Sequence, residues 1–199
     1  MKALAKRAFD LSWAAVGLLV LTPLFVVVAL LIKFEDGGPA LFVQERVGRR
    51  GRLFHMWKFR TMRVGAEQQG GQLTVGQDPR VTHVGAWLRK TKVDELPQLI
   101  NVLRGEMSLV GPRPEVPRYV SLYTPEQRKV LELVPGITDP ASVRYRHESE
   151  LLAQSSDPER TYIEKIMPDK IAINLAYAAR ATVWSDLLVI LNTFVSLVR

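Results

Sequence analysis

One uncharged apolar run constrains this chain more than any other feature. It extends from residue 11 to residue 32, with Lys6 and Arg7 before it and Lys33 after it. As a straight helix such a run measures roughly 33 Å, which matches the hydrocarbon core of a bilayer. The run is longer than the apolar part of a signal peptide, and no small-residue cleavage pattern follows it. It therefore predicts a membrane element within residues 1–34.

Thr22 and Pro23 interrupt this run at its middle. A proline inside a helix loses a hydrogen bond and clashes with the preceding turn, at a cost of about 3 kcal/mol, so a helix break or bend is expected there. The Thr22 hydroxyl can satisfy a backbone group that becomes free. Each half then measures only about 16 Å, the depth of one leaflet. Basic residues on both flanks favour the cytoplasmic side. Two alternatives remain: a re-entrant helix and a kinked span.

Composition narrows the chemistry of the remaining chain. At 199 residues the chain suits one compact domain with its own core, at 35–199, besides the membrane element. It contains no cysteine, which excludes disulfides, thiolate nucleophiles and cysteine-ligated zinc. The net charge of +7 predicts an anionic partner, which could be nucleic acid, an anionic membrane surface or a phosphorylated substrate. His55, His83 and His147 lack metal-ligand spacing and are expected to be structural.

The segment after the membrane element predicts a β-hairpin. Residues 40–62 contain two strand-like stretches around a Gly-Arg-Arg-Gly turn. Alternation in the second stretch places Met56, Lys58 and Arg60 on one face. Residues 64–80 are rich in Gly and Gln, and they form either a plain excursion or a lid over a site.

Helices are predicted for most of the remaining chain. The expected ranges are 82–92, 94–104, a segment after Thr124 with Gln127 completing a capping box, 157–167, 168–180 and the apolar tail 185–199. In the second range Asp94 is the expected N-cap and Gly105 the residue past the end. The tail is either core or an amphipathic helix in the headgroup layer. The fold class is α+β and mainly helical, with a membrane helix, a small hairpin and interfacial helices.

Two adjacent carboxylates, Asp94 and Glu95, lie among cations. Arg89 precedes them, and Arg113 follows between two prolines that restrict its backbone. The pair could simply cap a helix. It could also serve phosphoryl transfer, because nearby cations are expected to lower the Asp94 pKa below its usual ~3.9, which provides a carboxylate nucleophile. Paired carboxylates also suit Mg²⁺.

Three stretches identify a resemblance to a known family. They are PALFVQERVGRRGRLFHMWKFRTM, QDPRVTHVGAWLRKTKVDELPQLINVLRGEMSLVGPRPE and VPGITDPASVRYR. Together they resemble the bacterial sugar transferase family, the monotopic polyprenyl-phosphate phosphoglycosyl transferases. The likeness extends over nearly the whole chain and corresponds to the minimal catalytic form, without a preceding multi-pass domain.

The resemblance implies a specific reaction. Family members transfer a sugar-1-phosphate from a UDP-sugar to a polyprenyl (undecaprenyl) phosphate, releasing UMP and starting assembly of a surface glycan or glycoprotein glycan. By this likeness Asp94 is the nucleophile that forms a covalent phosphosugar intermediate, and Glu95 assists with Mg²⁺ or a proton. The same likeness implies phosphate or substrate binding by a set of cations: Arg89, Arg113, Lys58, Arg60 and Arg146.

The resemblance also resolves the membrane alternatives. The family's helix break is usually Ser-Pro, and Thr22-Pro23 keeps the hydroxyl, so a re-entrant helix is expected. The implied location is the bacterial inner membrane, with the active site on the cytoplasmic face and no nucleic-acid partner. A non-enzymatic basic membrane protein and a phosphohydrolase are the rival interpretations. The identity of the sugar, the glycan pathway, the polyprenol length and the oligomeric state, a homodimer among the alternatives, stay open.

Overall fold

The computed structural model describes residues 2–66, 73–76 and 78–198, and its fold is mainly helical with two small β-elements. A long helix α1 (Lys2–Asp36) leads into a hairpin of β1 (Leu41–Val47) and β2 (Leu53–Phe59). Next come α2 (His83–Thr91), a 3-10 helix (Val93–Gln98) and α3 (Leu99–Arg104). The predicted hairpin and the mainly helical class are confirmed.

The C-terminal half consists of short elements followed by two longer helices. In chain order they are β3 (Ser108–Val110), α4 (Pro117–Val120), a 3-10 helix (Gln127–Glu132), β4 (Gly136–Thr138), α5 (Pro140–Arg144), α6 (Glu148–Ala153), α7 (Pro158–Thr161), a π-helical turn (Tyr162–Ile166), α8 (Met167–Ala178) and α9 (Val183–Val198).

Helix α1 continues through Pro23, so the predicted proline break does not end the helix. The proline leaves the Leu19 carbonyl without its helical donor. The Thr22 hydroxyl donates to the Leu18 carbonyl at 2.7 Å, a neighbour of the freed group, and such back-bonding tends to bend helices. Within the described residues one helix, Leu4–Asp36, is long and apolar enough to cross a membrane. The re-entrant topology stays a prediction.

One stripe of α1 packs against the rest of the chain, and most of its remaining surface is apolar and exposed. Asp10, Ala14, Val28 and Ile32 are buried along this stripe. The exposed apolar side chains of α1 are Leu4, Leu11, Trp13, Val16, Leu19, Val20, Val26, Val27, Leu30, Leu31 and Phe34. An apolar surface of this extent is rare on soluble monomers and is typical of a membrane or protein contact.

Polar contacts hold both ends of α1 against the same folded body. Near the N-terminus, Lys6 pairs with the buried Asp186 of α9 at 2.6 Å. At the other end, Arg60 forms a bidentate pair with Asp36 and also donates to the carbonyls of Pro39 and Met62. The apolar run therefore begins and ends beside one globular unit.

The hairpin acquires its stability from α3 as well as from its own strands. β1 and β2 pair antiparallel, from Leu41 opposite Phe59 to Val47 opposite Leu53. A two-stranded hairpin is marginal alone. The buried amide of Asn101 binds the outer edge of β2, accepting from the Trp57 N–H at 3.1 Å and donating to the His55 carbonyl at 2.8 Å. This contact fixes β2 beside the 3-10 helix that contains Asp94.

The helix predicted at 94–104 forms in two parts, and Asp94 is not its N-cap. Helix α2 begins after Thr82, whose hydroxyl accepts from the Gly85 N–H at 2.9 Å, as the predicted 82–92 helix requires. Lys92 then adopts a left-handed conformation (φ 58°) and starts the 3-10 helix. Asp94 therefore lies in a first turn rather than at the cap. The prediction of Gly105 past the end is confirmed by its φ of 82°.

A short parallel pairing of β3 with β4 was not predicted, and it positions the Pro-Arg-Pro segment. Ser108 pairs with Gly136 and Val110 with Thr138. The backbones come so close that a Cβ on Gly136 would lie 2.1 Å from the Gly111 nitrogen, so only glycine fits there. Residues 112–114 follow directly from this contact.

The C-terminal helices differ from the prediction in their limits. The Thr124–Gln127 capping box forms as expected, although it starts a 3-10 helix rather than an α-helix. The two helices predicted at 157–167 and 168–180 are one continuous segment through Pro168, because a π-helical turn precedes it. One side of helix α9 belongs to the core, where Asp186 and Val189 are buried, and its placement in the headgroup layer stays a prediction. Its exposed side is apolar, with Trp184, Leu188, Leu191, Phe194 and Val195.

The structure predicts that Arg60 stabilises the fold by holding the end of α1. Arg60→Ala removes one partner of a largely buried pair and should lower the free energy of unfolding by about 2–3 kcal/mol. We expect thermal unfolding in detergent to shift down by about 5–10 °C, whereas exposed Arg63→Ala, the matched control, should unfold like the wild type. Wild-type stability in Arg60→Ala, combined with weakened phosphate binding, would instead support the role predicted from the sequence.

Candidate active site

The two adjacent carboxylates are buried at the start of the 3-10 helix after α2. Asp94 and Glu95 are each 6% exposed. Strand β2 packs across this helix and brings Lys58, whose side chain is 15% exposed, to 3.8 Å from a Glu95 carboxylate oxygen. The segment after β3 approaches from the other side with Arg113. The structure thus brings together Asp94, Glu95, Lys58 and Arg113, as predicted.

Arg113 binds Glu95 through both guanidinium nitrogens. Its Nη1 donates to Glu95 Oε2 at 2.9 Å and its Nη2 to Oε1 at 2.7 Å. Burial alone would raise the Glu95 pKa, but Arg113 and Lys58 hold that pKa well below its usual value. Glu95 is therefore ionised and its charge is compensated. The guanidinium predicted to bind phosphate is occupied by a carboxylate in this structure.

Asp94 has the opposite environment. Its Oδ1 is buried and has no hydrogen-bond partner within the described part of the chain. Burial and the adjacent charge of Glu95 raise the Asp94 pKa to about 6, while Lys58 and Lys92 act in the other direction. The prediction that nearby cations would lower this pKa was wrong, because burial and the adjacent Glu95 charge outweigh the lowering effect of Lys58, Lys92 and Arg113. At neutral pH Asp94 is an ionised and poorly solvated carboxylate.

Lys58 is a buried cation whose ion pair with Glu95 is loose. Its 3.8 Å separation from Glu95 is too long for a hydrogen bond. Burial and the neighbouring Arg113 lower the Lys58 pKa to about 7. An ammonium group in this position is available to an incoming anion, and the role of Lys58 as a phosphate ligand stays a prediction.

The other predicted phosphate ligands occupy three different settings. Arg89 lies near the carboxylates, close enough for the negative charge of Asp94 to favour its protonated form. It donates hydrogen bonds to the Thr61 hydroxyl at 2.8 Å and to the Thr74 hydroxyl at 3.3 Å. Arg60 is engaged by Asp36 and by the Pro39 carbonyl at the end of α1, and its predicted role in substrate binding stays a prediction. Arg146 donates to the Ser196 carbonyl of α9 at 2.9 Å and to the ring of His147, the residue after it.

The predicted lid can be followed only in part. Thr74 contacts Arg89, and the Gly76 N–H donates to the Ser149 carbonyl at 3.0 Å. These contacts hold residues 73–76 against α6 and the site. Residues 67–72 and 77 of the predicted loop lie outside the described residues.

A hydrogen-bond network that the sequence did not predict holds the residues directly after Arg113. Glu115 accepts a hydrogen bond from Arg46 at 3.4 Å and one from the Val116 N–H at 2.9 Å. It also accepts a hydrogen bond from the Tyr162 hydroxyl. Arg46 also donates to the Pro114 carbonyl at 3.0 Å. The only sequence signal was the position of Glu115 directly after Pro-Arg-Pro, since its partners come from distant parts of the chain.

The residues present fit a magnesium ion only in part. Among the described residues no group of three or more His, Cys, Asp or Glu side chains is placed to hold a metal ion. The buried Asp94 Oδ1, which has no hydrogen-bond partner among the described residues, could serve as a metal ligand. Mg²⁺ commonly uses one or two carboxylates together with substrate phosphates. Glu95 could join only if Arg113 released one of its oxygens.

Known proteins resemble this chain over its full length. The family model described as bacterial sugar transferase matches residues 1–199. UDP-glucose:undecaprenyl-phosphate glucose-1-phosphate transferase of Caulobacter vibrioides is 39% identical over 199 residues, covering 98% of this chain and 70% of that protein. Exopolysaccharide production protein PSS of Rhizobium leguminosarum bv. phaseoli is 38% identical over 204 residues, covering 98% of this chain and 96% of that protein.

A third relative is longer than this chain. UDP-N-acetylgalactosamine-undecaprenyl-phosphate N-acetylgalactosaminephosphotransferase of Aeromonas hydrophila is 37% identical over 196 residues. The match covers 96% of this chain and 43% of the Aeromonas protein, so the chain spans less than half of that relative. The full-length family match and these identities lead to one conclusion: the chain belongs to the bacterial sugar transferase family.

Proposed function

We propose that the protein transfers a sugar-1-phosphate from a UDP-sugar to a polyprenyl phosphate, releasing UMP and forming a polyprenyl diphosphate-sugar. The names of the Caulobacter and Aeromonas relatives state this type of donor and acceptor. The observation that carries the proposal is the unequal pair at Asp94 and Glu95. One carboxylate is compensated by Arg113, and the other is buried, unpartnered and free to react.

The proposed reaction has two steps at the same phosphorus. An Asp94 carboxylate oxygen attacks the β-phosphorus of the donor, the bond from that phosphorus to the bridging oxygen breaks, and UMP leaves with the electron pair. A phosphate oxygen of the lipid acceptor then attacks the same phosphorus, and Asp94 leaves as a carboxylate. No proton transfer to Asp94 is needed, because it begins and ends ionised.

The surrounding cations would stabilise the charge that develops in both steps. The Lys58 ammonium group, which lies too far from Glu95 for a hydrogen bond, would contact phosphate oxygens. Arg89 could exchange its neutral hydroxyl partners for phosphate oxygens at little cost. Arg113 would keep Glu95 oriented and neutralised, and could share its guanidinium with the substrate.

Magnesium is part of the proposal. Asp94, and Glu95 if Arg113 released one of its oxygens, would hold a Mg²⁺ ion, which would supply Lewis-acid stabilisation of the phosphate charge. The protein's own contribution is the buried carboxylate oxygen and the compensating cations. Dependence on Mg²⁺ can be measured by chelation in the transfer assay described below.

The membrane arrangement we propose is a re-entrant α1, with the active site on the cytoplasmic face of the bacterial inner membrane. The ion pairs at Lys6 and Asp36 support it, because both ends of the apolar run contact one folded body that cannot lie on both sides of a bilayer. The exposed apolar side of α9 would lie in the interface. A soluble nucleotide donor and a lipid phosphate could then meet at Asp94, in the first step of a surface glycan or glycoprotein glycan.

Asp94→Asn should abolish transfer. We expect UMP release by the detergent-solubilised protein, across a panel of UDP-sugars with Mg²⁺ and undecaprenyl phosphate, to fall by more than about 10³-fold. Incubation with the donor alone should add one phosphosugar to the wild-type mass and nothing to the variant. Exposed Glu126→Gln serves as the charge-matched control.

Other outcomes of this assay would favour the rivals. Repeated turnover without a lipid acceptor, with far more than one UMP released per protein, would indicate a phosphohydrolase. A non-enzymatic membrane protein would be indicated by two results together. The wild type would release no UMP with any UDP-sugar, and the wild type and Asp94→Asn would bind anionic vesicles equally well.

The pH dependence of kcat/KM should be bell-shaped. It should rise with pH through about 6 as Asp94 ionises, and fall above about 7 as Lys58 loses its proton. Lys58→Arg keeps the cation at all accessible pH values and should remove the alkaline decline while leaving the acidic limb. Exposed Lys90→Arg should leave both limbs in place. An alkaline limb that persists in Lys58→Arg would exclude Lys58 as its source.

Single-cysteine labelling should report the topology, since the chain has no native cysteine. Two positions suit the label: Leu4, which is 76% exposed, and Arg50, which lies at the tip of the hairpin. Leu4→Cys and Arg50→Cys should both react with an impermeant maleimide in inverted inner-membrane vesicles and not in right-side-out vesicles. Adding Thr22→Ala and Pro23→Ala should straighten α1 and move the Leu4→Cys label to the periplasmic side. Periplasmic labelling of Leu4→Cys without these changes would contradict the re-entrant helix.

A further inference from the structure

Lys92 is an exposed cation in a strained backbone conformation, directly before the reactive carboxylates. It joins α2 to the 3-10 helix that contains Asp94 and Glu95, and its backbone is left-handed, with φ 58° and ψ 15°. Arg50 is the one other non-glycine residue with a positive φ in the described part of the chain. This conformation favours glycine, and residues that are held in it tend to cluster at functional sites. A lysine at such a position therefore indicates a use for its side chain.

The backbone places the Lys92 side chain beside the candidate active site. The Glu95 N–H donates to the Lys92 carbonyl at 3.2 Å, so one tight turn separates the lysine from both carboxylates. The Lys92 charge opposes the rise in the Asp94 pKa and contributes to the lowering of the Glu95 pKa. Because the ammonium group sits on a flexible four-carbon stem, it can reach an anion that is bound at these carboxylates.

The buried charges of the site are close to balanced before a substrate binds. Arg113 and Lys58 offset the charges of Asp94 and Glu95. A substrate phosphate brings further negative charge next to an ionised Asp94, so its binding requires more positive charge than these two cations supply. Lys92 forms no ion pair with any residue that the structure describes, so its ammonium group can bind an anion without losing an existing partner.

We propose that Lys92 binds a substrate phosphate at the entrance of the site and contributes to affinity rather than to the chemical step. An exposed ammonium group makes contacts that substrate and transition state share, so its loss raises KM and leaves kcat nearly unchanged. The phosphate belongs either to the UDP-sugar or to the lipid acceptor, and both offer the same chemistry. This inference rests on the proposed function, and it adds a cation to those that the family resemblance implies.

The test compares Lys92→Gly with Arg50→Gly in the detergent-solubilised full chain. The two residues are exposed cations with φ values of 58° and 59°, so each change removes one positive charge and relieves the same backbone conformation. Arg50 lies at the hairpin tip, whereas Lys58 lies near the open end of the hairpin, so Arg50 is the matched control. We expect both variants to unfold at or above the wild-type temperature.

Binding is measured by calorimetry with two probes, UDP and a short-chain polyprenyl phosphate. Lys92→Gly should weaken the binding of one probe by about 3- to 10-fold, and Arg50→Gly should bind both probes like the wild type. The weakened probe identifies the phosphate that Lys92 contacts. High salt should reduce the difference between Lys92→Gly and the wild type, because an exposed charge is screened. In the transfer assay the KM for the same substrate should rise, with kcat nearly unchanged.

Equal binding of both probes by the wild type and Lys92→Gly would overturn the inference. If Lys92→Gly unfolds at a lower temperature, Lys92→Asn replaces it, because asparagine tolerates the left-handed conformation and carries no charge. Wild-type binding by Lys92→Asn would then overturn the inference as well. A wild type that binds both probes without transferring sugar would count against the proposed function, whereas weaker binding by Lys92→Gly in that case would still support the phosphate contact.

Discussion

The bidentate pair between Arg113 and Glu95 is the interaction on which the site depends. It joins the segment after β3 to the 3-10 helix after α2, in surroundings where losing one partner would leave a buried charge at a cost of about 3–5 kcal/mol. The close approach of Gly111 and Gly136 brings the arginine there, and the Arg46–Glu115–Tyr162 network supports it. Among the described residues Asp94 Oδ1 has no hydrogen-bond partner, and burial together with the Glu95 charge raises the Asp94 pKa to about 6.

Helix α1 imposes the second constraint. Its apolar side is too extensive for water, and both of its ends are held by ion pairs to one folded body. A helix that simply crossed a bilayer would separate those ends by the thickness of the membrane. The same contacts hold α1 against the body that contains Asp94 and Glu95, and one of them engages Arg60.

Local signals were enough to predict part of the fold. The hairpin turn, the Thr82 and Thr124 caps and the end of α3 at Gly105 each depend on a few neighbouring residues, and all of them form. The pairing of β3 with β4 could not be predicted, because two short strands far apart in the chain carry no local pattern. Pro168 was expected to separate two helices, but the preceding π-helical turn accommodates its missing N–H.

The sequence by itself determined the reactive groups and the surfaces of this protein: the adjacent Asp94 and Glu95, the surplus of cations, and an apolar helix with polar ends. Only the tertiary structure decided which cation pairs with which carboxylate. It assigned Arg113 to Glu95 and Arg60 to Asp36, and it placed Lys58 at 3.8 Å from Glu95. Charge compensation and desolvation depend on distances through space and on burial, and neither follows from the order of residues along the chain.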